Sequence, residues 1–257
     1  MKLIGRTALI TGAAKGLGRR TAIELAAHGC DVAINYHTSR VEAERLADEI
    51  AATGRRAIAV EADVSKPEAA DKLVTEAEER LGCVDILVNN AGPFVRERRL
   101  FADYRPEEIH ALLNGNLVGA MLLDHRVLPS MRKSGWGRII HFGFGHAGEA
   151  RSWPHRAVYA AAKVGLVSFT KTLAVEEAGS GITVNMICPG DIRGDNKEKS
   201  ISDVAGTIDD ESSRRPGTGE DVARMIAFLC MPESDFITGN AIDVSGGFDP
   251  IRATLTK

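Results

Sequence analysis

The chain excludes several classes of protein by what it lacks. Its four cysteines, Cys30, Cys83, Cys188 and Cys230, are scattered, with no C-x-x-C pair among them. A disulfide framework or a zinc site needs patterned spacing, so reduced thiols in a cytoplasmic protein are the expectation. No uninterrupted apolar run reaches the roughly 18 residues that cross a bilayer, and residues 1–6 are too short and polar for a secretory leader. Neither sign of charge dominates: 32 Lys and Arg stand against 35 Asp and Glu, a net charge of -3. A polyanion-binding surface is therefore not expected, and neither nucleic acid nor membrane is an expected partner. Internal repeats, low-complexity tracts and Pro/Ser-rich linkers are also missing. With 257 residues, 44% of them hydrophobic, the chain can bury one large core, and a single domain over residues 1–257 is expected.

What is present is organised around Thr11-Gly12-Ala13-Ala14-Lys15-Gly16-Leu17-Gly18. Ahead of it, Thr7-Ala8-Leu9-Ile10 reads as a short buried strand. Behind it, Ala22, Ile23, Leu25 and Ala26 form the apolar face of a helix that stops at Gly29. Strand, glycine-rich turn and helix together bind phosphate. Glycines let the backbone approach a pyrophosphate closely, and the helix N-terminus aims free N–H groups and a partial positive charge at it.

Further strands are expected at residues 31–36, 56–61, 86–89, 138–142, 183–187 and 241–244, with helices at 40–52, 67–81, 107–132, 157–178 and 220–230. The alternation predicts an α/β fold, a Rossmann-type doubly wound parallel sheet of about seven strands with helices on both faces. Asn114-Gly115-Asn116 interrupts the long helical pattern and predicts a kink there. The residues after strand two carry no acid to bind ribose hydroxyls; His37, Thr38, Ser39 and Arg40 stand there, with Lys15 in the glycine turn. Hydroxyls and cations suit a 2′-phosphate, so NADP(H) is the expected cofactor. On a plainer reading Thr38 or Ser39 only caps the next helix. Ala91 and Gly92, after Asn89-Asn90, leave room for a cofactor, while the two asparagines are expected to tie strand ends together. Residues 191–216 are polar and aperiodic, as a mobile substrate lid would be.

The glycine turn, Asn89-Asn90-Ala91-Gly92 and Tyr159-x-x-x-Lys163, in that order, resemble the motifs of the short-chain dehydrogenase/reductase family over about residues 5–247. The 3-oxoacyl-carrier-protein reductases are the branch of closest look. The resemblance implies that Asp63 meets the adenine amino group and Val64 packs on the ring. It also implies that Asn116 holds a water leading from Lys163 to solvent, and that Pro189, Gly190 and Ile192 close over the nicotinamide. A homodimer or homotetramer is implied too, acting on a small carbonyl or alcohol. On a plainer reading Asp63 or Ser65 only caps the helix around residues 67–81.

Tyr159 and Lys163 lie one helical turn apart and share a face. An ammonium beside a phenol is expected to lower its pKa and make it a usable acid or base. The family's serine, which polarises the substrate oxygen, is missing from His141-Phe142-Gly143-Phe144-Gly145-His146. Counting from the strand puts Phe144 in its place; counting back from Tyr159 puts His146 there. His146 is the expected replacement, with His141 and Ser152 next, and a plain loop histidine is the alternative. Gly194 also stands near where the family has a carboxamide-binding hydroxyl. A second functional reading follows: a protein that binds NADP(H) without turnover.

Overall fold

The computed structural model describes residues 2–95, 97–209 and 214–247. Arg96, part of an arginine-rich loop, and residues 210–213 of the expected lid lie outside them, as do both termini of the expected domain. Seven strands form one sheet: β1 (Thr7–Ile10), β2 (Asp31–Tyr36), β3 (Ala57–Glu61), β4 (Val84–Asn89), β5 (Gly137–Phe142), β6 (Ile182–Pro189) and β7 (Ala241–Val244). Their order is β3-β2-β1-β4-β5-β6-β7, and every pairing is parallel.

The alternation of apolar side chains explains the two-sided core. In β1, Ala8 and Ile10 join one apolar cluster while Leu9 joins the other; Val32 and Ile34 in β2 are opposed by Ala33 in the same way. Period-two side chains must face opposite sides of a strand, so an uninterrupted apolar run needs cover on both. Helices α1 (Gly16–Ala27), α2 (Arg40–Ala51) and α7 (Gly219–Cys230) cover one face through Leu25, Leu46 and Ile226. Helices α3 (Pro67–Leu81), α5 (Gly119–Ser134) and α6 (Ala157–Glu177) cover the other through Leu73, Leu123 and Leu173. These leucines and isoleucines are almost wholly withdrawn from water, worth about 2–3 kcal/mol each.

The long helix expected at 107–132 is broken. Helix α4 (Pro106–Leu113) passes through a π-helical turn, Asn114–Val118, into α5. The extra residue in that turn brings Asn116 inward, where it is almost fully buried. By length and a mean hydropathy of 1.3, the stretch Ala157–Ser180, most of it α6, could cross a membrane, but half of it is buried within the fold. It is the second face's core helix.

A polar seam runs through that core. Asn89 donates to Asp124 Oδ1 (2.8 Å), Asp124 Oδ2 meets His141 Nε2 (2.8 Å), and His141 Nδ1 meets Thr170 Oγ1 (2.7 Å). Thr170 Oγ1 also donates to Leu166 O (2.7 Å). The seam ties β4, α5, β5 and α6 together behind the helix that carries Tyr159.

Candidate active site

Consecutive strands leave β1 in opposite directions, so β1 and β4 part at the sheet's switch point, the place where such sheets bind ligands. Side chains lock that crevice before anything enters it. Thr11 Oγ1 accepts the N–H groups of Asn90 (3.0 Å) and Ala91 (2.9 Å), and Asn90 Nδ2 donates to the carbonyls of Thr11 and Gly12. Asn35 accepts the Gly12 N–H and donates to three carbonyls of β2 and β3's ends. The expectation that the asparagines tie strand ends together is met by Asn90 but not by Asn89, which reaches Asp124 on α5 instead; the part of Asn35 was missed, although an amide in an apolar strand is the signal for it.

Two glycines show why the turn needs them. Gly12 has φ +59°, which a side chain would strain. A Cβ at Gly18 would come within 2.6 Å of Asn90 Nδ2 and 2.7 Å of the Gly12 carbonyl. That floor opens into a cleft of about 980 Å³, spacious enough for an extended dinucleotide. Lys15, Gly16 and Leu17 of the turn, Asn90, Gly92 and Asn116, and Tyr159, Lys163, Pro189, Gly190 and Ile192 all line it. Asn116 donates to the carbonyls of Pro93 and Leu112, while its own oxygen is buried without a partner. A bare cradle beside an unsatisfied buried carbonyl fits a polar dinucleotide.

The expected adenosine-end residues sit apart from this lining. His37 and Arg40 are exposed, and Ser39 makes no capping hydrogen bond to α2, so the plainer reading of it finds no support. Arg40 faces Glu61 (3.4 Å), and Lys15 Nζ is held by Glu42 (2.7 Å). Asp63 accepts from the Ser65 hydroxyl and N–H, which hold its carboxyl below the usual range. The capping reading is not met: Lys66 stands at the N-cap of α3, and no side chain caps it. Val64 is buried beside Asp63.

Tyr159 and Lys163 face the cleft from α6, with Lys163 Nζ 5.9 Å from the centre of the Tyr159 ring. The expectation of a phenol acidified by its ammonium neighbour is not met. Burial, with the Cys188 thiol adding to it, pushes Tyr159 up to about 12. Burial likewise pulls Lys163 down to about 8. Desolvation disfavours either charge, and it outweighs attraction at this distance. Tyr159 therefore keeps its proton at neutral pH, the state a proton donor needs.

The missing serine is resolved against His146. That residue has φ +63°; its N–H donates to Asp243 (2.7 Å) and its Nδ1 meets Glu149 (2.8 Å). The ring is thus turned to two carboxylates and does not line the cleft. His141 is sealed in the core seam, and Ser152 is exposed outside the cleft. Phe144 stands beside the reacting end instead, buried, with its ring 4.7 Å from Trp153 and 6.1 Å from Tyr159.

The segment expected to form a lid reaches the glycine turn. Its described part carries two short 3-10 turns, Gly194–Lys197 and Ser202–Val204. Glu198, just past the first, accepts the Gly16 N–H at 2.7 Å. A carboxylate so placed takes the spot that the glycine turn offers to a phosphate. Sequence reading missed this contact, which joins residues 182 positions apart.

A doubly wound sheet, a phosphate-binding turn at its switch point and a Tyr–Lys pair across the cleft define a nicotinamide-dependent oxidoreductase. The chain belongs to the short-chain dehydrogenase/reductase family: residues 12–249 match the family model described as enoyl-(acyl carrier protein) reductase. It is 46% identical to a Bacillus subtilis protein, YtkK, named only as an oxidoreductase, over 98% of this chain and 99% of that one. It is 35% identical to the 3-oxoacyl-[acyl-carrier-protein] reductase FabG of Staphylococcus epidermidis, over 95% and 99%. Among solved structures, a Bacillus thuringiensis chain provisionally called a 3-oxoacyl-reductase superposes with TM-score 0.90 at 46% identity, covering 96% and 99%. A metagenomic blue fluorescent protein in complex with NADPH superposes with TM-score 0.84 at 34% identity, covering 96% and 99%. These likenesses support an enzyme over a binding-only protein.

Proposed function

We propose that the protein is an NADPH-dependent reductase of a small carbonyl compound, working in the cytoplasm as a homodimer or homotetramer. The observation that carries this reading is one cleft holding the glycine turn at one end and Tyr159 with Lys163 at the other. The N–H groups of the turn and the start of α1 take the pyrophosphate. Lys15, helped by His37, Ser39 and Arg40, takes the 2′-phosphate, letting go of Glu42. Asp63 and Val64 flank the adenine, and Lys163 holds the ribose beside the nicotinamide. Asn90, Ala91 and Gly92 form the floor, and Pro189, Gly190 and Ile192 the far wall. A reduced nicotinamide bound there supplies a hydride. Tyr159 gives its proton to the substrate oxygen, and Asn116 holds the water path that restores it. The single domain and the lid over residues 191–216 belong to the same reading.

NADPH titration by nucleotide fluorescence tests it, with NADPH binding at least tenfold more tightly than NADH. Equal affinity, or a preference for NADH, sinks the cofactor assignment. Ala160 and Val167 pack inside the protomer; we place the subunit contact on the outer faces of α5 and α6. Light scattering at micromolar concentration gives the mass that decides it; a monomer contradicts the assembly.

A further inference from the structure

The buried seam of Asn89, Asp124, His141 and Thr170 draws one residue from each of four elements that also supply the cleft. β4 ends at Asn89 and continues into Asn90 and Gly92, and the π-helical turn running into α5 holds Asn116. β5 runs through His141 towards Gly143 and Phe144, and α6 carries Tyr159 and Lys163 ahead of Thr170. All four seam residues are buried, and successive members meet at 2.8, 2.8 and 2.7 Å.

Stability is a poor reason to keep such a seam. Leu123, Ile139 and Leu173, on α5, β5 and α6, belong to an apolar cluster that already holds these elements together. Withdrawing a carboxylate and an imidazole from water is costly, and apolar residues of similar volume in their place are often neutral or stabilising. Directional bonds add a unique geometry instead, because apolar contacts let one element slide or roll over another.

The bonds fall where a roll would matter. Tyr159, Lys163, Leu166 and Thr170 are spaced four, three and four positions apart, so they share one face of α6. Thr170 Oγ1 meets His141 Nδ1 and donates to Leu166 O, which fastens that face to β5. Holding Thr170 therefore fixes both the roll and the height of Tyr159 and Lys163. The lever is short: at ~1.5 Å per residue, Thr170 lies about 10 Å along the axis from Lys163. Asn89 ties the same Asp124 to the strand that ends in the cleft floor.

We propose that Asp124 and His141 are positioning residues, which act through Thr170 and Asn89 to set Tyr159 and Lys163 against the floor of the cleft. The kinetic consequence rests on the reductase reading above. A misplacement of about 1 Å at reacting atoms costs roughly a hundredfold in rate. Removing the directional bonds should therefore lower turnover, while the glycine turn and cofactor affinity stay in place.

The test replaces the pair by apolar residues, Asp124→Leu with His141→Leu, in the full chain. In variants that urea unfolding shows to be folded, kcat with acetoacetyl-CoA should fall at least tenfold and the KM for NADPH should stay within about twofold. Protein labelled with 3-fluorotyrosine reads the geometry without any substrate. Of its three tyrosines, Tyr159 should show a shifted or broadened fluorine signal, while Tyr36 and Tyr104 hold theirs. Asp124→Asn can still accept from Asn89 and donate to His141 Nε2, and it should bring kcat back to within about threefold of the wild type. Thr170→Val, close in shape but without the hydroxyl, releases α6 alone. It should reproduce the fluorine change and lower kcat at least fivefold, even if the leucine pair fails to fold. A Tyr159 signal or a kcat unmoved in a folded leucine or valine variant overturns the proposal. So does a KM that rises as kcat falls, or an Asp124→Asn loss as deep as that of the apolar variants. If the wild type binds NADPH but reduces none of acetoacetyl-CoA, cyclohexanone and menadione, the reductase reading fails, and the fluorine signals alone decide the positioning.

Discussion

The two ends of the cleft are built differently. At the glycine turn the lining is backbone, and Thr11, Asn35 and Asn90 hold it in place through bonds among β1, β2, β3 and β4. At the Tyr159 end the lining is side chains: Tyr159 and Lys163 from α6, with Phe94 from the loop after β4 and Phe144 and Trp153 from the loop after β5. A backbone-built site tolerates little change at its glycines, because each substitution moves the binding groups themselves. A side-chain-built site can exchange a serine for a phenylalanine and keep its frame. On the proposed reading the two halves separate cofactor recognition, set by the fold, from substrate choice, set by loop residues.

Substitutions should break that separation in a graded order. The largest effect is expected from Tyr159→Phe, which removes the only side-chain hydroxyl among the described residues lining the cleft and should lower kcat about 10³-fold or more. NADPH affinity should stay within about twofold, measured by fluorescence titration; a parallel loss of affinity would blur the two halves. Gly18→Val strikes the other half. Its side chain would collide with Asn90 and the Gly12 carbonyl. NADPH binding should weaken roughly a hundredfold by the same titration, about 3 kcal/mol. Binding at wild-type strength would show that the turn can shift.

A pH profile comes next. Lys163, pulled down to about 8, is charged below that pH and neutral above it. If the ammonium holds the ribose, kcat/KM should fall up to about tenfold per pH unit above 8, and Lys163→Met should lose that limb along with most of the activity. The same shift has a stability sign. Between pH 8 and the ordinary lysine value near 10.4, the unfolded chain binds the proton that the folded chain has shed, so stability rises with pH there. Urea unfolding at pH 7.5 and 9.5 would read it, and a fall across that window would refute the buried, depressed lysine.

Smaller effects probe the lid and the loop histidine. Glu198→Gln removes the carboxylate that competes for the Gly16 N–H, and NADPH should bind about three- to tenfold more tightly. Unchanged or weaker binding would mean that the carboxylate does not compete. His146→Ala should leave turnover within about twofold, because its ring faces Glu149 and Asp243. A loss of ten- to a hundredfold would restore it as the polarising group.

Much of the fold was legible because its signals are local. The strand at 7–10 and the last at 241–244 were bounded by sequence as the structure has them. The kink at Asn114-Gly115-Asn116 was legible as a place, since such residues are poor inside a helix, but its form as a π-turn was not. Among site residues, the glycine turn, Tyr159 and Lys163 reach the cleft as expected. The choice between Phe144 and His146 could not be made by counting. The loop between β5 and α6 allowed two registers, and only its packing separates them.

The sequence by itself determined the order of strands and helices, the two-sided core, the place of the phosphate-binding turn and the Tyr–Lys pair. All of these depend on residue types repeated every two or every few positions, or on backbone shapes only glycine adopts readily. Tertiary structure alone decided what fills the serine's place, which carboxylate sits on Gly16, and how Asp124 and His141 share a buried seam. Those outcomes depend on side chains tens of residues apart or more competing for the same few ångströms, and on desolvation that holds the proton on Tyr159. Local patterns say which backbone forms; only packing across elements says which side chain faces the cleft.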